Sequence, residues 1–217
     1  MPYEALRDFT PVILVGKAPS ILVVHPSLPV KSVKDLVALA KARPGVLNYS
    51  TGSTGSPNHL GAELFNAMAR VNIVRVNYRG SGPALTGVIS GEAQLHFANI
   101  SAGIGHIKAG KLKALAVTSK QPSALVPGLP TVASSGLPGY EISSADSIFG
   151  PAKIPDPILT RLNQGMARFL KTPEAKEKLF NSGTEAVGST PEELLAVMKS
   201  ETATMGKLIK DAGIKSE

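Results

Sequence analysis

Three stretches of this chain repeat one order of residues: an apolar strand, a run of glycines and small hydroxyl residues, then a helix-forming segment. That order restricts the fold more than any other feature. LNYS leads into TGSTGSPNHLG at 47–61, IVRVNY into RGSGPAL at 73–85, and AQLHFAN into ISAGIGHI at 93–107. Strands that alternate with helices predict a parallel α/β sheet. In such a sheet the turns that follow the strands share one edge, and ligands bind in the crevice there. Each turn also presents backbone N–H groups at a helix N-terminus, where a negative group is favoured. The sequence thus points three times to a small anionic ligand.

The remaining chain supplies the frame. Residues 9–25 read as two apolar strands around a break at Lys17–Pro19. Ser32 caps a helix that runs to about Lys41, with Asp35 at the capping-box position and Gly45 beyond its end. KALAVTS at 113–119 is a further strand. Residues 121–141 are rich in Pro, Gly and Ser yet carry Leu125, Leu129, Val132 and Leu137, which predicts a packed irregular connection. After the strand-like ISSADSIFGP the chain turns helical. Asp156-Pro157, Thr172-Pro173-Glu174 and Thr190-Pro191-Glu192-Glu193 each combine a capping residue with Pro at the first helical position. The first of these helices carries Ile158, Leu162, Met166 and Phe169 on one face; Gly183 ends the second, and the third runs to Gly213. Three amphipathic helices with almost no strand of their own need a sheet to cover.

Composition excludes several function classes. At 217 residues, 43% hydrophobic and 18% charged, the chain can bury a substantial core. It has no cysteine, which rules out disulfides, thiolate zinc sites and cysteine nucleophiles. The opening MPYEALRDF has neither a basic nor an apolar signal region, so no signal peptide is expected in this chain. The net charge of +7 is uneven: residues 1–150 hold 13 Lys+Arg against 7 Asp+Glu, and residues 151–217 hold 10 against 9. A positive first part suits the steering of an acidic small molecule. Nucleic-acid binding would need basic clusters with aromatic platforms, whereas the basic residues are scattered and Trp is absent.

The loops hold the candidate site. In STGSTGSPNHLG, Pro57 suits a first helical turn and leaves Ser56 as the N-cap. The N–H groups of Gly52, Ser53, Thr54, Gly55 and Ser56 are then placed to close on a carboxylate, with hydroxyls from Ser50, Thr51, Ser53 and Thr54. The plainer alternative is a βα turn whose hydroxyls only cap the helix. His59 falls just inside this helix; with no carboxylate or second histidine at a metal or triad spacing, it reads better as a packed or capping residue. No metal or other cofactor is called for. In NYRGSGPAL, Arg79 offers a fork to a carboxylate, and Gly80 and Gly82 allow close backbone approach beside Tyr78 and Ser81; a surface arginine beside a tight turn is the alternative. Asn99 and Ser101 end the third strand with the same two readings. Ser53 lies in a near match to the G-x-S-x-G elbow, but Thr51 replaces the first glycine and no histidine follows Asp146, so a serine esterase is a distant alternative. The glycines from Gly105 mimic a phosphate loop, but Leu112 stands where Ser or Thr must hold magnesium. No pair of acidic residues falls in these loops, so the chain is expected to bind rather than transform.

Taken in order, LRDFTPVILV, SILVVHPSLPVKSVKDLVALAKARPGVLNYSTGSTGSPNHLGAELF, VNYRGSGPALTGVISGEAQL, IKAGKLKALAVTS and LPTVASSGLPGY resemble the substrate-binding proteins of tripartite tricarboxylate transporters, the Bug family. The resemblance implies a type II periplasmic-binding-protein fold, in which two α/β domains joined by crossing strands close on a small carboxylate for a membrane permease. By it, residues 1–18 are a crossing strand and remnant of domain 1, and residues 19–141 a complete parallel-sheet domain 2. Residues 142–217 are then the return crossing and C-terminal helices of domain 1. It equates Ser50–Ser56 with a carboxylate-cradling turn, Tyr78–Gly82 with a second cleft loop, and Asn99 and Ser101 with a variable cleft position. It also implies a periplasmic location. The family's signal peptide and first glycine-rich βα turn have no match here, so the expectation is an N-terminally truncated member, whether by gene, by a second chain that supplies the piece, or by repurposing. Such a chain is expected to bind its ligand weakly and to self-associate through the incomplete domain. Its implied partners are a di- or tricarboxylate, amino acid or aromatic acid and the permease subunits, with no nucleic acid.

Overall fold

A computed structural model describes residues 3–214; residues 1, 2 and 215–217, which the expected domain limits include, lie outside the described residues. The chain divides into two units, Met1–Ala18 with Ser144–Lys207, and Pro19–Ser143 with Leu208–Glu217.

The second unit carries the α/β sheet. Its elements are the latter half of β1 (Phe9–Val24), α2 (Val33–Ala42), β2 (Asn48–Thr51), α3 (Pro57–Ala69), β3 (Val74–Asn77), α4 (Ser81–Ile89), β4 (Leu95–Asn99), α5 (Ile100–Lys108) and β5 (Lys113–Val117). The strand order is β3-β2-β4-β1-β5. β2 runs parallel to β3 and to β4, as the strand–helix alternation predicts. β1 enters between β4 and β5 antiparallel to both, with Ser20 opposite Asn99 and Ile21 opposite Val117. The fold is mixed α/β with a parallel-dominated sheet.

Residues Ser20–Val24 are all buried, because the strand is covered on both faces. Ile21 and Val23 join Leu85, Val88, Ile100, Leu112 and Val117 in one cluster. Phe65, Phe97 and Tyr140 pack as an aromatic group with ring centroids 6.0–6.5 Å apart. The connection over 121–141 packs as expected: Val132 and Leu137 are buried, Leu125 and Leu129 lie against the cluster, and the Val132 N–H donates to the Val117 carbonyl at 2.9 Å. Ser32 and Asp35 form the expected capping box of α2. The Ser32 hydroxyl accepts the Asp35 N–H and the Asp35 carboxylate accepts the Lys31 N–H, which holds that carboxyl below its usual range.

The first unit holds α1 (Ala5–Asp8), the start of β1, β6 (Ser143–Pro151), α6 (Asp156–Leu170), α7 (Pro173–Asn181), β7 (Glu185–Ala186) and most of α8 (Pro191–Asp211). β6 and β7 both pair with β1. Gly16 lies opposite Ala186, and a Cβ there would stand 2.4 Å from the Thr184 methyl, so the close strand approach requires glycine. Asn163 ties α6 to the strand by donating to the carbonyls of Val12 and Ser189, each at 2.9 Å.

Four expectations need correction. Asp156 is the first residue of α6 and not its cap: Pro155 precedes the helix, and no side chain caps it. Residues 9–24 form one continuous strand rather than two, because its first part pairs with β6 and β7 and its second with β4 and β5; Lys17–Pro19 marks the change of partners. The third glycine stretch is not a loop: α5 follows β4 directly and contains Gly103 and Gly105. α6 packs through Leu159, Met166, Ala167 and Leu170 against Val12 and Ile13, which leaves Ile158, Leu162 and Phe169 of the expected stripe exposed.

Candidate functional site

Because β2, β3 and β4 are parallel, their carboxyl ends lie at one sheet edge. That edge carries residues 52–56 after β2, residues 78–80 after β3, and the start of α5 at the end of β4. The first two loops are bonded together. The Tyr78 N–H donates to the Thr51 carbonyl at 2.8 Å and the Gly80 N–H to the Gly52 carbonyl at 3.1 Å. A Cβ on Gly52 would lie 2.5 Å from the Gly80 carbonyl carbon and the Ser81 nitrogen, so glycine is what lets the two backbones meet.

The three helix starts differ. α3 is capped from within: the Ser56 hydroxyl accepts the His59 N–H at 3.3 Å, and His59 Nδ1 accepts the Gly55 N–H at 3.0 Å. α4 starts after Gly80 (φ +118°) and α5 after Asn99, and neither has a side-chain cap. The opening N–H groups of a helix have no intrahelical acceptor. Those of Ser81 and Gly82 in α4, and of Ser101 and Ala102 in α5, are therefore placed for an outside acceptor. Pro83 keeps the first turn of α4 preformed without a competing donor.

The expected site residues sort into edge and support. Ser53, Gly55, Arg79, Ser81, Asn99 and Ser101 are exposed, while Gly52, Thr54 and Ser56 are partly so. Thr54 is pinned from β3, where the Arg75 guanidinium donates to its hydroxyl at 2.6 Å and to Asn77 at 3.1 Å. Ser50 and Thr51 lie behind the edge, fully buried. The Ser50 carbonyl accepts His96 Nδ1–H at 2.8 Å, and the Thr51 hydroxyl points to the Ser53 carbonyl. Tyr78 turns onto α4, where its ring fills the space that a side chain at Gly87 would occupy. Its hydroxyl donates to Glu92 at 3.0 Å, and burial together with that bond raises the phenol above its usual range. His59 is 2% exposed and stacks on Tyr49 at 6.4 Å between ring centroids. Tyr49 donates a short hydrogen bond to Glu63, and burial, then that bond, push its phenol far up.

Four supporting residues escaped the sequence reading: Asn58, Glu63, Arg75 and His96. His96 is 1% exposed, and its Nε2 faces the Asn58 amide at 3.3 Å. Burial lowers its pKa and keeps the ring neutral, outweighing the Ser50 hydrogen bond. The available signal was a polar residue inside an apolar strand, at Arg75 in VRVN and His96 in LHFAN. A separate groove of about 250 Å³, lined by Val33, Lys34, Val37, Ala38, Lys41, Ser135 and Gly136, includes none of the loop residues.

Comparison with known proteins gives a consistent picture. The sequence model of the TctC family, described as "Tripartite tricarboxylate transporter family receptor", matches residues 1–214. Protein BugT of Bordetella pertussis is 31% identical over 215 residues, which are 99% of this chain and 66% of BugT. The structure of Rpa4515 of R. palustris with adipate is 38% identical, with a TM-score of 0.86 over 99% of this chain and 72% of that one. MatC from Rhodopseudomonas palustris with bound malate is 25% identical, with a TM-score of 0.81 over 96% and 72%. The chain spans 62% to 66% of the length of three curated relatives.

Proposed function

The chain belongs to the family of tripartite tricarboxylate transporter receptors, and on that premise we propose that it is a solute-binding protein whose second unit takes up a small carboxylate at the edge formed by residues 52–56, 78–82 and 99–102. The observation that carries this reading is the junction of the two loops at Gly52 and Gly80, beside two helix starts without side-chain caps. Ser81, Gly82, Ser101 and Ala102 offer N–H groups, Ser53 and Thr54 offer hydroxyls, and Arg79 offers a cation at the rim. A carboxylate gains charge-assisted hydrogen bonds from such donors and is favoured by the helix dipoles. The excess of basic residues over 1–150 supports an acidic ligand by steering it inward.

Adipate and malate, held by two structural neighbours, are both dicarboxylates, so a dicarboxylate is the first class proposed. In this reading residues 1–18 and 142–217 are the proposed part of domain 1 and residues 19–141 domain 2, delivery to membrane permease subunits is the proposed outcome of binding, and the periplasm the proposed location. The reading needs no catalytic group.

The test is a thermal-shift screen of the chain against mono-, di- and tricarboxylates, amino acids and aromatic acids. A ligand at about 100 times its Kd adds roughly 2.7 kcal/mol of stability, which raises Tm by several degrees in a protein of this size. A shift confined to one acid class supports the reading. A flat screen on a cooperatively melting chain contradicts it.

A further inference from the structure

The geometry points to His59 as the positioning residue of the first loop, one that holds Gly55 in place only while its imidazole is neutral. The inference rests on the carboxylate-binding reading of that loop and adds a condition under which the loop is formed.

Gly55 adopts φ +76° at the point where the chain turns from Ser53 and Thr54 into α3. Its N–H donates to His59 Nδ1 at 3.0 Å, so Nδ1 must carry a lone pair, and the proton of the neutral ring then sits on Nε2. Nε2 faces the Glu63 carboxylate at 4.0 Å, and that carboxylate is itself fixed by the Tyr49 hydroxyl. The ring is stacked on Tyr49 and 2% exposed, so it cannot turn away without opening the turn. An imidazolium carries N–H on both nitrogens and can accept nothing. Protonation of His59 therefore sets two donors against each other at Gly55 and frees the segment that carries Ser53 and Thr54.

The titratable and charged groups around the ring are Glu63 on its own helix, Tyr49 of β2, Arg75 of β3 at Thr54, and His96 of β4 beyond Asn58. His96 is engaged with Ser50 and Asn58, and Arg75 with Thr54 and Asn77. His59 joins a ring nitrogen directly to the backbone of the turn between Gly52 and Ser56, through the Gly55 N–H.

Two replacements separate this role from simple packing. His59→Asn places a non-titrating carbonyl oxygen near the Nδ1 position, and His59→Leu fills the space with no acceptor. Nuclear magnetic resonance of the ligand-free chain reads the Gly55 amide directly. In the wild type that amide is expected to be protected from exchange and its shift to titrate with the ring. In His59→Asn it stays protected and ceases to titrate, and in His59→Leu protection falls by about tenfold, as for the loss of one hydrogen bond. Calorimetry with adipate and malate between about pH 5.5 and about pH 8 is the second readout. Wild-type affinity falls toward the acid end, while His59→Asn keeps a flatter profile. Equal Gly55 exchange in all folded variants, an unchanged profile in His59→Asn, or affinity that rises toward acid in the wild type alone would overturn the inference. If His59→Leu fails to fold, the Asn comparison decides. If neither acid binds the wild type while the Gly55 amide still titrates with His59, the binding reading fails and the positioning role stands.

Discussion

His96 shows how a residue remote from any ligand can set the conditions under which the edge exists. It is buried on β4, which pairs with β2 in the sheet, with Nδ1–H on the Ser50 carbonyl and Nε2 facing Asn58 of α3. Burial depresses its folded pKa below the ordinary 6.5, so around neutrality and just below it the unfolded chain binds a proton that the fold refuses. Stability from this group is complete above pH 6.5 and declines as pH falls from there toward the depressed value. The slope cannot exceed about 1.4 kcal/mol per pH unit, the one-proton limit. Urea unfolding at about pH 7.5 and about pH 5.5 is expected to show a smaller loss for His96→Gln than for the wild type; an equal loss in both proteins would assign the effect to other groups. In the sequence His96 is only a polar residue inside the apolar strand LHFAN, and it was not singled out there. The sequence could not say what the ring touches, because Ser50 and Asn58 meet it only through β2 pairing and α3 packing.

At the scale of elements, the β2–α3 and β3–α4 connections work as one object because Gly52 lets the second backbone lie against the first. Gly52→Ala would put a methyl group 2.5 Å from backbone atoms of Gly80 and Ser81, which cannot rotate away as a side chain would. The expected result is a loss of about 1–3 kcal/mol in stability, as for overpacking elsewhere, together with weaker carboxylate binding. Gly105→Ala in α5, where an added Cβ meets nothing within 4 Å, is the control and should stabilise slightly through helix propensity. Wild-type affinity in Gly52→Ala would show that the loop junction plays no part in carboxylate binding. The helix starts at Ser32, Ser56, Thr172 and Thr190 were legible because capping is local chemistry. The third glycine stretch misled for a tertiary reason: Gly103 serves the seating of α5 on β4, where its Cβ would stand 3.2 Å from that of Ala98. The stripe of α6 misled likewise, since the strand it packs on lies more than 140 residues earlier in the chain.

For the whole molecule, the alternation of strands and helices was enough to place two loops and a helix start at one edge, whereas the antiparallel entry of β1 depends on pairings between residues about 70 to 100 positions apart. Those pairings also carry Ser20 to the same edge, where its N–H donates to the Thr118 hydroxyl at 2.8 Å. The charge excess over 1–150 and the family relationship both favour an acidic ligand there. The groove lined by Val33, Lys41 and Gly136 is a competing place for one, since it too carries lysines beside apolar residues. The two are separated most directly by amide chemical-shift mapping of the chain, titrated with the acid that gives the largest thermal shift. The largest perturbations are expected on Gly52–Gly55, Gly80–Gly82 and Ser101–Ala102. Perturbations confined to α2 and residues 135–136, or none at saturating acid, would contradict binding at the loop edge.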